Sequence, residues 1–279
     1  MGFLNTLTYD QQGFSTVAGP GSAVGTLVLS NTATSRRNGV KVQTTGTANN
    51  IPAVYGCDLN NNAVFNEAGD GQNLACNWLS WKYLIAYLDW SALRPITEFE
   101  YEKTCRGPMA SSAGEYAWGS NILLQATAGA LNNAGQSSET STAAGSGLCA
   151  YGSNNSAHGP LRCGFAATAT TNRIQSGGSY YGVMDMTGNV AEQCLGGYNF
   201  NYSAFTTANG DGIVATTTGV ANTAGWPATG GGPGGGIVRG GDWFSPSTAY
   251  LQTSDRAFMT DNSNQVPDYR VGGRGVRSW

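Results

Sequence analysis

Thiol and imidazole side chains are the most reactive groups in this sequence, and they are few. The 279 residues contain one histidine, His158, which excludes a metal or acid–base centre built from several imidazoles. No two cysteines have the Cys-x-x-Cys spacing that is typical of zinc sites. An even number of cysteines in a chain with few lysines favours an extracellular protein with disulfides. The cysteines are Cys57, Cys76, Cys105, Cys149, Cys163 and Cys194.

The cysteines are expected to form up to three disulfides, although the sequence alone permits many connectivities. Two of the expected bridges close local loops, and the third follows by elimination. One local bridge would tie down the polar stretch at 120–180, which is too long for a single structureless loop. Buried free thiols are the alternative. The expected pairs are Cys57–Cys76, Cys149–Cys163 and Cys105–Cys194.

An asparagine-rich loop offers oxygen ligands at alternate positions, as the start of a calcium-binding loop does. Ala63 stands where an EF-hand needs glycine for its turn, and Gly69 where it needs glutamate. Two interpretations of this loop therefore remain: a weak calcium site and an asparagine-rich turn. The candidate ligands are Asp58, Asn60 and Asn62.

Two helices and several short strands are predicted to position these groups. An apolar helical face runs from Trp81 to near Trp90. A second helix is predicted from Glu98 to Cys105, because Thr97 and Glu100 have the spacing of a capping box. No internal repeat and no linker interrupts the chain, so residues 1–279 are expected to form one domain. Strand-like runs lie at 25–29, 40–42, 237–239 and 275–277.

The composition is that of a folded, loop-rich chain with an uncharged polar surface. Glycine supplies 41 residues and charged residues only 11%, against about 25% charged residues in average globular proteins. Hydrophobic residues still make up 40%, which excludes a disordered chain. A net charge of −3 without a basic stripe argues against nucleic acid as a partner. No apolar run reaches the roughly 20 residues of a membrane-spanning helix.

Four segments together resemble the formylglycine-generating enzyme (sulfatase-modifying factor) family. The resemblance implies an α+β, C-type-lectin-like fold that is loop-rich and has little regular secondary structure. The segment Phe3–Thr8 resembles the end of the first helix of that family, and the strand that precedes this helix is missing. We therefore expect a longer native chain with a signal sequence upstream of Met1. The four segments are 93–107 followed by 115–119, 181–192, 238–243 and 268–277.

The oxidative chemistry of the resembled family is not expected here. Its oxidase members bind copper through a pair of cysteines in the C-terminal segment, and residues 195–279 of this chain contain no cysteine. The sulfoxide-synthase relatives need a three-histidine iron site, which His158 alone cannot supply. The resemblance therefore implies a member that is not an enzyme and that binds neither copper nor iron.

Calcium is the one metal that the resemblance suggests. The segment 188–192 matches a family segment in which an asparagine, a glutamate and an intervening carbonyl bind calcium. The alternative is a turn in which Asn189 adopts a left-handed conformation beside Gly188. The candidate ligands are Asn189, Val190 (through its carbonyl) and Glu192.

Relatives in this family include bacterial and phage surface proteins that display a ligand-binding face near the C-terminus. In this sequence the face would lie within residues 238–277, where aromatic residues alternate with adaptable polar ones. We therefore expect an extracellular or cell- or virion-surface protein, either an adhesin or a target-recognition domain, with a protein or glycan ligand. A structural subunit of a surface or secreted assembly is the alternative, and a degenerate copper oxidase ranks last. The candidate residues are Phe244, Ser245, Ser247, Tyr250, Gln252, Phe258, Asn262, Asn264 and Tyr269.

Overall fold

Helices and strands are short in this chain, and most of it consists of ordered turns. Helix accounts for 16% and strand for 17%, against about 30–35% and 20–25% in typical globular proteins. The expected α+β chain with little regular structure is therefore confirmed. The computed structural model describes residues 1–48, 51–126, 131–152, 158–196, 209–222, 226, 236–258 and 266–277.

The two predicted helices form, and the second has the capping box expected for it. The Ser80 hydroxyl accepts a hydrogen bond from the Tyr83 N–H at the start of one helix, and the Thr97–Glu100 capping box begins the next. No helix in the described part of the chain is long and apolar enough to span a membrane. The α-helices are α1 (Tyr9–Ser15), α2 (Trp81–Trp90), α3 (Glu98–Arg106) and α4 (Arg173–Ser176), and 3-10 helices lie at Leu4–Thr6 and Thr248–Leu251.

The described strands pair into one three-stranded sheet and four two-stranded ones. The order in the larger sheet is β10-β8-β9, with β10 parallel and β9 antiparallel to the central β8. The strands are β1 (Val40–Thr44), β2 (Val54–Cys57), β3 (Arg94–Pro95), β4 (Leu124–Gln125), β5 (Leu131–Asn132), β6 (Thr140–Ser141), β7 (Leu148–Cys149), β8 (Ala191–Leu195), β9 (Gly236–Arg239), β10 (Val271–Gly273) and β11 (Gly275–Val276).

Helix α2 packs directly on the backbone of the last two strands. A Cβ atom at Gly273 would lie 2.4 Å from Leu84, and one at Gly275 would lie 2.6 Å from Leu88. These close contacts explain why glycine is needed in β10 and β11. The predicted strand at 25–29 is not a regular strand, but the Gly25 N–H donates to a carbonyl of β1.

The expected disulfides are not formed, because all six cysteines have free thiols. Four of them are buried, as in the alternative considered above: Cys57, Cys105, Cys149 and Cys194. The thiol of Cys149 donates to the Thr187 carbonyl at 3.2 Å, whereas Cys163 is exposed. Burial raises the pKa of Cys149 well above its usual value, which keeps the thiol protonated.

The buried carboxylate of Glu139 helps to order the stretch at 120–180, which the Cys149–Cys163 bridge was expected to hold. Glu139 is fully buried, pairs with the guanidinium of Arg37 and accepts the backbone N–H groups of Gly135 and Arg162. Arg162 also donates through its side chain to the Glu139 carbonyl. Together with the β4–β7 and β5–β6 pairs, these bonds order much of the stretch at 120–180 without a covalent link.

Candidate ligand-binding face

The face begins at a sharp turn after β9, where two consecutive glycines adopt left-handed backbone conformations. Gly240 has φ +87° and Gly241 has φ +65°. A Cβ atom at Gly240 would lie 2.8 Å from the Met186 carbonyl, and one at Gly241 would lie 2.6 Å from Leu251. Only glycine fits both requirements, so the two glycines fix the path of the chain into the residues that follow.

Asp242 organises the next turn from beneath the face. Its carboxylate accepts hydrogen bonds from the Phe244 N–H at 2.7 Å and from the Ser245 hydroxyl at 3.0 Å. Burial raises the pKa of Asp242 to about 6, although these hydrogen bonds and the charge of Arg270 oppose the shift. Ser245 itself is buried, so this predicted ligand residue lies below the face and not on it.

Four aromatic rings meet around Tyr269 and form what we call the Tyr269 cluster: Trp78, Trp243, Phe244 and Tyr269. The Tyr269 ring centroid lies 5.6 Å from Phe244, 5.7 Å from Trp243 and 5.6 Å from Trp78. Both tryptophans are buried, whereas Phe244 and Tyr269 are half-buried. Edge-to-face packing of this kind makes a rigid base that carries two partly exposed rings.

The backbone around Tyr269 is fixed by side chains from the start of α2. The Asn77 amide donates to the carbonyls of both Arg36 and Tyr269, at 3.0 Å each. The indole N–H groups of Trp78 and Trp243 donate to the carbonyls of Ser35 and Tyr269 at 2.8 and 3.0 Å. Three segments that are distant in the sequence are therefore locked together below the face.

Two guanidinium groups lie against the Tyr269 ring. The guanidinium carbon of Arg36 is 5.4 Å from the ring centroid, and that of Arg270 is 5.6 Å from it. Arg270 also pairs with Asp268 at 3.1 Å. Cation–π attraction therefore adds to the ring packing at this position.

A second aromatic pair lies further along the segment. The rings of Tyr250 and Phe258 are 5.0 Å apart, and both residues are half-buried. A cavity of about 20 Å³ lies beneath them, bordered by Asp255 and Arg270 among others. This volume accommodates about one water molecule, so the pair offers a surface and no deep pocket.

The remaining predicted ligand residues have mixed positions. Ser247 caps the 3-10 helix, because its hydroxyl accepts the Ala249 N–H at 3.3 Å. Gln252 ends that helix and is half-buried. Asn262 and Asn264 lie outside the described residues. The structure therefore brings together Phe244 and Tyr269, and separately Tyr250 and Phe258.

An ion-pair network lies on the inner side of the same segment, between β9 and α3. Arg239 is buried and contacts Glu98 at 3.3 Å and Glu102 at 3.0 Å. Arg256 approaches Glu102 to 2.6 Å from the solvent side. Burial tends to raise the pKa of Glu102, but hydrogen bonds from Arg239 and Arg256 outweigh this effect and lower it. The network consists of Glu98, Glu102, Arg106, Glu115, Arg239 and Arg256.

The predicted calcium ligands on β8 already have protein partners. The Asn189 side chain accepts the Leu161 N–H at 2.8 Å, and its residue has φ +65°, as in the turn considered as the alternative. One carboxylate oxygen of Glu192 accepts from the Arg274 guanidinium at 2.8 Å, and the other has no hydrogen-bond partner. Burial raises the pKa of Glu192 to about 7, although Arg274 opposes the shift. Val190 precedes β8 and is buried.

The asparagine-rich loop surrounds a lysine ammonium group. Lys41 is buried and donates to the Asp58 carboxylate at 2.9 Å and to the Asn61 side chain at 2.6 Å. The Asn62 N–H donates to both Asp58 and Asn60 at 3.0 Å. The oxygen atoms of this loop therefore already bind one cation, the ammonium group of Lys41.

Sequence reasoning missed three residues that shape the face: Arg36, Asn77 and Trp78. They precede Tyr269 by about 190 residues or more, so no local spacing connects them with it. Two adjacent arginines in a charge-poor chain, Arg36 and Arg37, were the only local signal.

Comparison with known proteins supports the resemblance noted in the sequence. The family model of the sulfatase-modifying factor enzyme 1-like domain matches residues 42–279, which include the whole face except Arg36. No curated protein matched the chain. Since the matched range covers most of its length, the chain belongs to the sulfatase-modifying factor enzyme 1-like (FGE-sulfatase) family.

Proposed function

We propose that this protein is a non-enzymatic, extracellular or surface-displayed binding domain on a C-type-lectin-like scaffold, and that it acts in adhesion or target recognition. The observation that carries the proposal is the pair of half-buried rings, Phe244 and Tyr269, on the rigid base of the Tyr269 cluster. Aromatic side chains supply large contact area with little loss of rotamer entropy, and they dominate binding energy at recognition surfaces.

The absence of cysteine from residues 195–279 supports the non-enzymatic part of the proposal. Soft thiolate ligands are the groups that select Cu(I), and this segment has none to offer. The test is to supply copper, oxygen and a cysteine-containing peptide to the purified protein. Oxygen consumption with conversion of the peptide would overturn the proposal and restore the oxidase alternative.

The binding part is tested with the Phe244→Ala variant on an array of surface glycans and secreted proteins. Tyr181→Ala is the matched control, because Tyr181 is an aromatic residue that is 58% exposed and lies outside the face. We expect Phe244→Ala to weaken binding about tenfold or more while Tyr181→Ala leaves it unchanged. Equal binding by both variants would reject this face.

A structural subunit of a surface or secreted assembly is the second candidate. It is favoured by the exposed pair Tyr180 and Tyr181, whose rings stack edge-to-face at 5.0 Å outside the Tyr269 cluster. Exposed apolar patches of this kind often mark contacts between subunits. Self-assembly in light scattering that is lost in Tyr181→Ala, with no ligand binding, would favour this candidate over the first.

A further inference from the structure

The backbone that carries Arg36 is strained. Arg36 and Arg37 have φ of +48° and +64°, and the Asn38 N–H closes the turn onto the Ser35 carbonyl at 3.0 Å. Glycine and asparagine ordinarily occupy such positions, because a side chain in the left-handed region costs about 1 kcal/mol or more. Strain of this kind persists only where surrounding contacts hold it.

Those contacts are present on both sides of the turn. Arg37 is anchored by the Glu139 carboxylate and by the Pro160 carbonyl at 2.7 Å. The Asn77 amide holds the Arg36 carbonyl and the Tyr269 carbonyl together. The backbone of Arg36 is therefore held beside Tyr269, and its guanidinium carbon lies 5.4 Å from the centroid of the Tyr269 ring.

The charge of Arg36 is also exceptional among the cations around the face. Arg37 is neutralised by Glu139 and Arg270 by Asp268. Within the described residues, Arg36 forms no salt bridge. A guanidinium that lies against an aromatic ring and has no carboxylate partner is suited to bind a carboxylate from a ligand, through two parallel N–H···O bonds.

The shape of the face favours a flat ligand. Arg36, Phe244 and Tyr269 are each half-buried and do not border the cavity beside Tyr250, so they present a surface to a ligand. A sugar ring needs no pocket, because its C–H groups can lie against the electron-rich faces of aromatic rings. Phe244 offers such a ring, and it packs edge-to-face on Tyr269, whose own ring carries the Arg36 guanidinium.

From this arrangement we propose that Arg36, Phe244 and Tyr269 form a subsite for an acidic glycan, with Arg36 binding the carboxylate of a uronic or similar sugar acid. The proposal rests on the binding function proposed above and specifies its ligand class. Arg36 precedes the range matched by the family, so the assignment comes from the geometry of this chain.

The test uses two ligands that differ only in charge: oligogalacturonate and its methyl ester. Calorimetric titration is expected to show that the wild-type protein binds the acid about tenfold more tightly than the ester. Arg36→Gln should remove this preference, whereas Arg36→Lys should retain part of it. Arg277→Gln is the matched control, because Arg277 is exposed and lies at the end of β11. Thermal melting of each variant shows whether it is folded.

Each outcome bears on a different part of the proposal. Equal binding of acid and ester that depends on Phe244 would overturn the role of Arg36 and leave the binding function standing. Binding of poly-glutamate in place of the sugar acid would overturn the glycan assignment. Failure of the wild-type protein to bind the acid at about 10 mM would reject the subsite, and only failure on the broader array would reject the binding function.

Discussion

The ion-pair network and the Tyr269 cluster both take residues from the stretch 239–256, but they use opposite kinds of side chain. Arg239 in β9 points inward to Glu98 and Glu102, whereas Phe244, five residues later, contributes a partly exposed ring. A buried guanidinium and a partly exposed aromatic ring, both unusual placements, thus lie close together in the sequence. Because the two regions use different residues, stability and recognition should be separable by mutation.

Removing the buried charge of Arg239 from the network should have the largest effect on stability. Arg239→Met would leave Glu98 with Arg256, and Glu102 with Arg106 and Arg256, and we expect a loss of about 3 kcal/mol in the free energy of unfolding. Urea denaturation measures it. Arg256→Met is the control, with a loss of about 0–1 kcal/mol, because that side chain is 36% exposed. Similar values for both variants would show that the buried charge has no special role.

The carboxyl group beneath the face should make stability depend on pH. The folded-state pKa of Asp242 is about 6, above its ordinary value of 3.8, so the folded state binds this proton more tightly than the unfolded state. The contribution of Asp242 to the free energy of unfolding is therefore complete below pH 3.8 and is lost as the pH rises to about 6. The loss in the free energy of unfolding is at most about 3 kcal/mol.

The isosteric variant Asp242→Asn isolates this contribution. It should flatten the loss of stability between pH 3.8 and 6, measured by denaturation at each pH. Glu102 is the matched contrast within the network, since its lowered pKa gives the opposite sign: stability that is lost as the pH falls below its ordinary value of 4.5. An unchanged slope in Asp242→Asn would contradict the assignment.

The two aromatic pairs of the face should differ in importance. Phe244→Ala should weaken ligand binding about tenfold, which corresponds to about 1.4 kcal/mol. Tyr250→Ala should weaken ligand binding less than about threefold, because the Tyr250 ring packs on Phe258 and lies outside the Tyr269 cluster. A larger effect at Tyr250, measured by the same titration, would move the centre of the face to the Tyr250–Phe258 pair.

Calcium should have the smallest effect. The ammonium of Lys41 and the guanidinium of Arg274 already contact Asp58 and Glu192, so a metal ion would have to compete with them. We expect millimolar calcium to raise the melting temperature by less than about 2 °C. A larger rise that is absent in Glu192→Gln would instead establish the calcium site predicted at Asn189 and Glu192.

Local patterns in the sequence predicted local structure well. The capping box at Thr97 depends on residues three positions apart, and both helices begin where expected. The disulfides were predicted wrongly, and in place of the Cys149–Cys163 bridge Glu139 and Arg37 order the stretch through a contact spanning 102 residues. Phe244 and Tyr269 were predicted as face residues from their type. Arg36 could not be predicted as a face residue, since its position depends on a turn conformation that arginine rarely adopts.

The pairing of β11 with β3 has a consequence for synthesis of the chain on the ribosome. Pro95 pairs with Gly275, so 180 residues must be added before that pairing can form. At about 5–20 residues per second this takes roughly 10 to 40 s. During that interval α3 can form, but Glu98 and Glu102 stay without Arg239 until it emerges. Folding of the nascent chain should therefore be late and cooperative, with slow steps typical of long-range contacts.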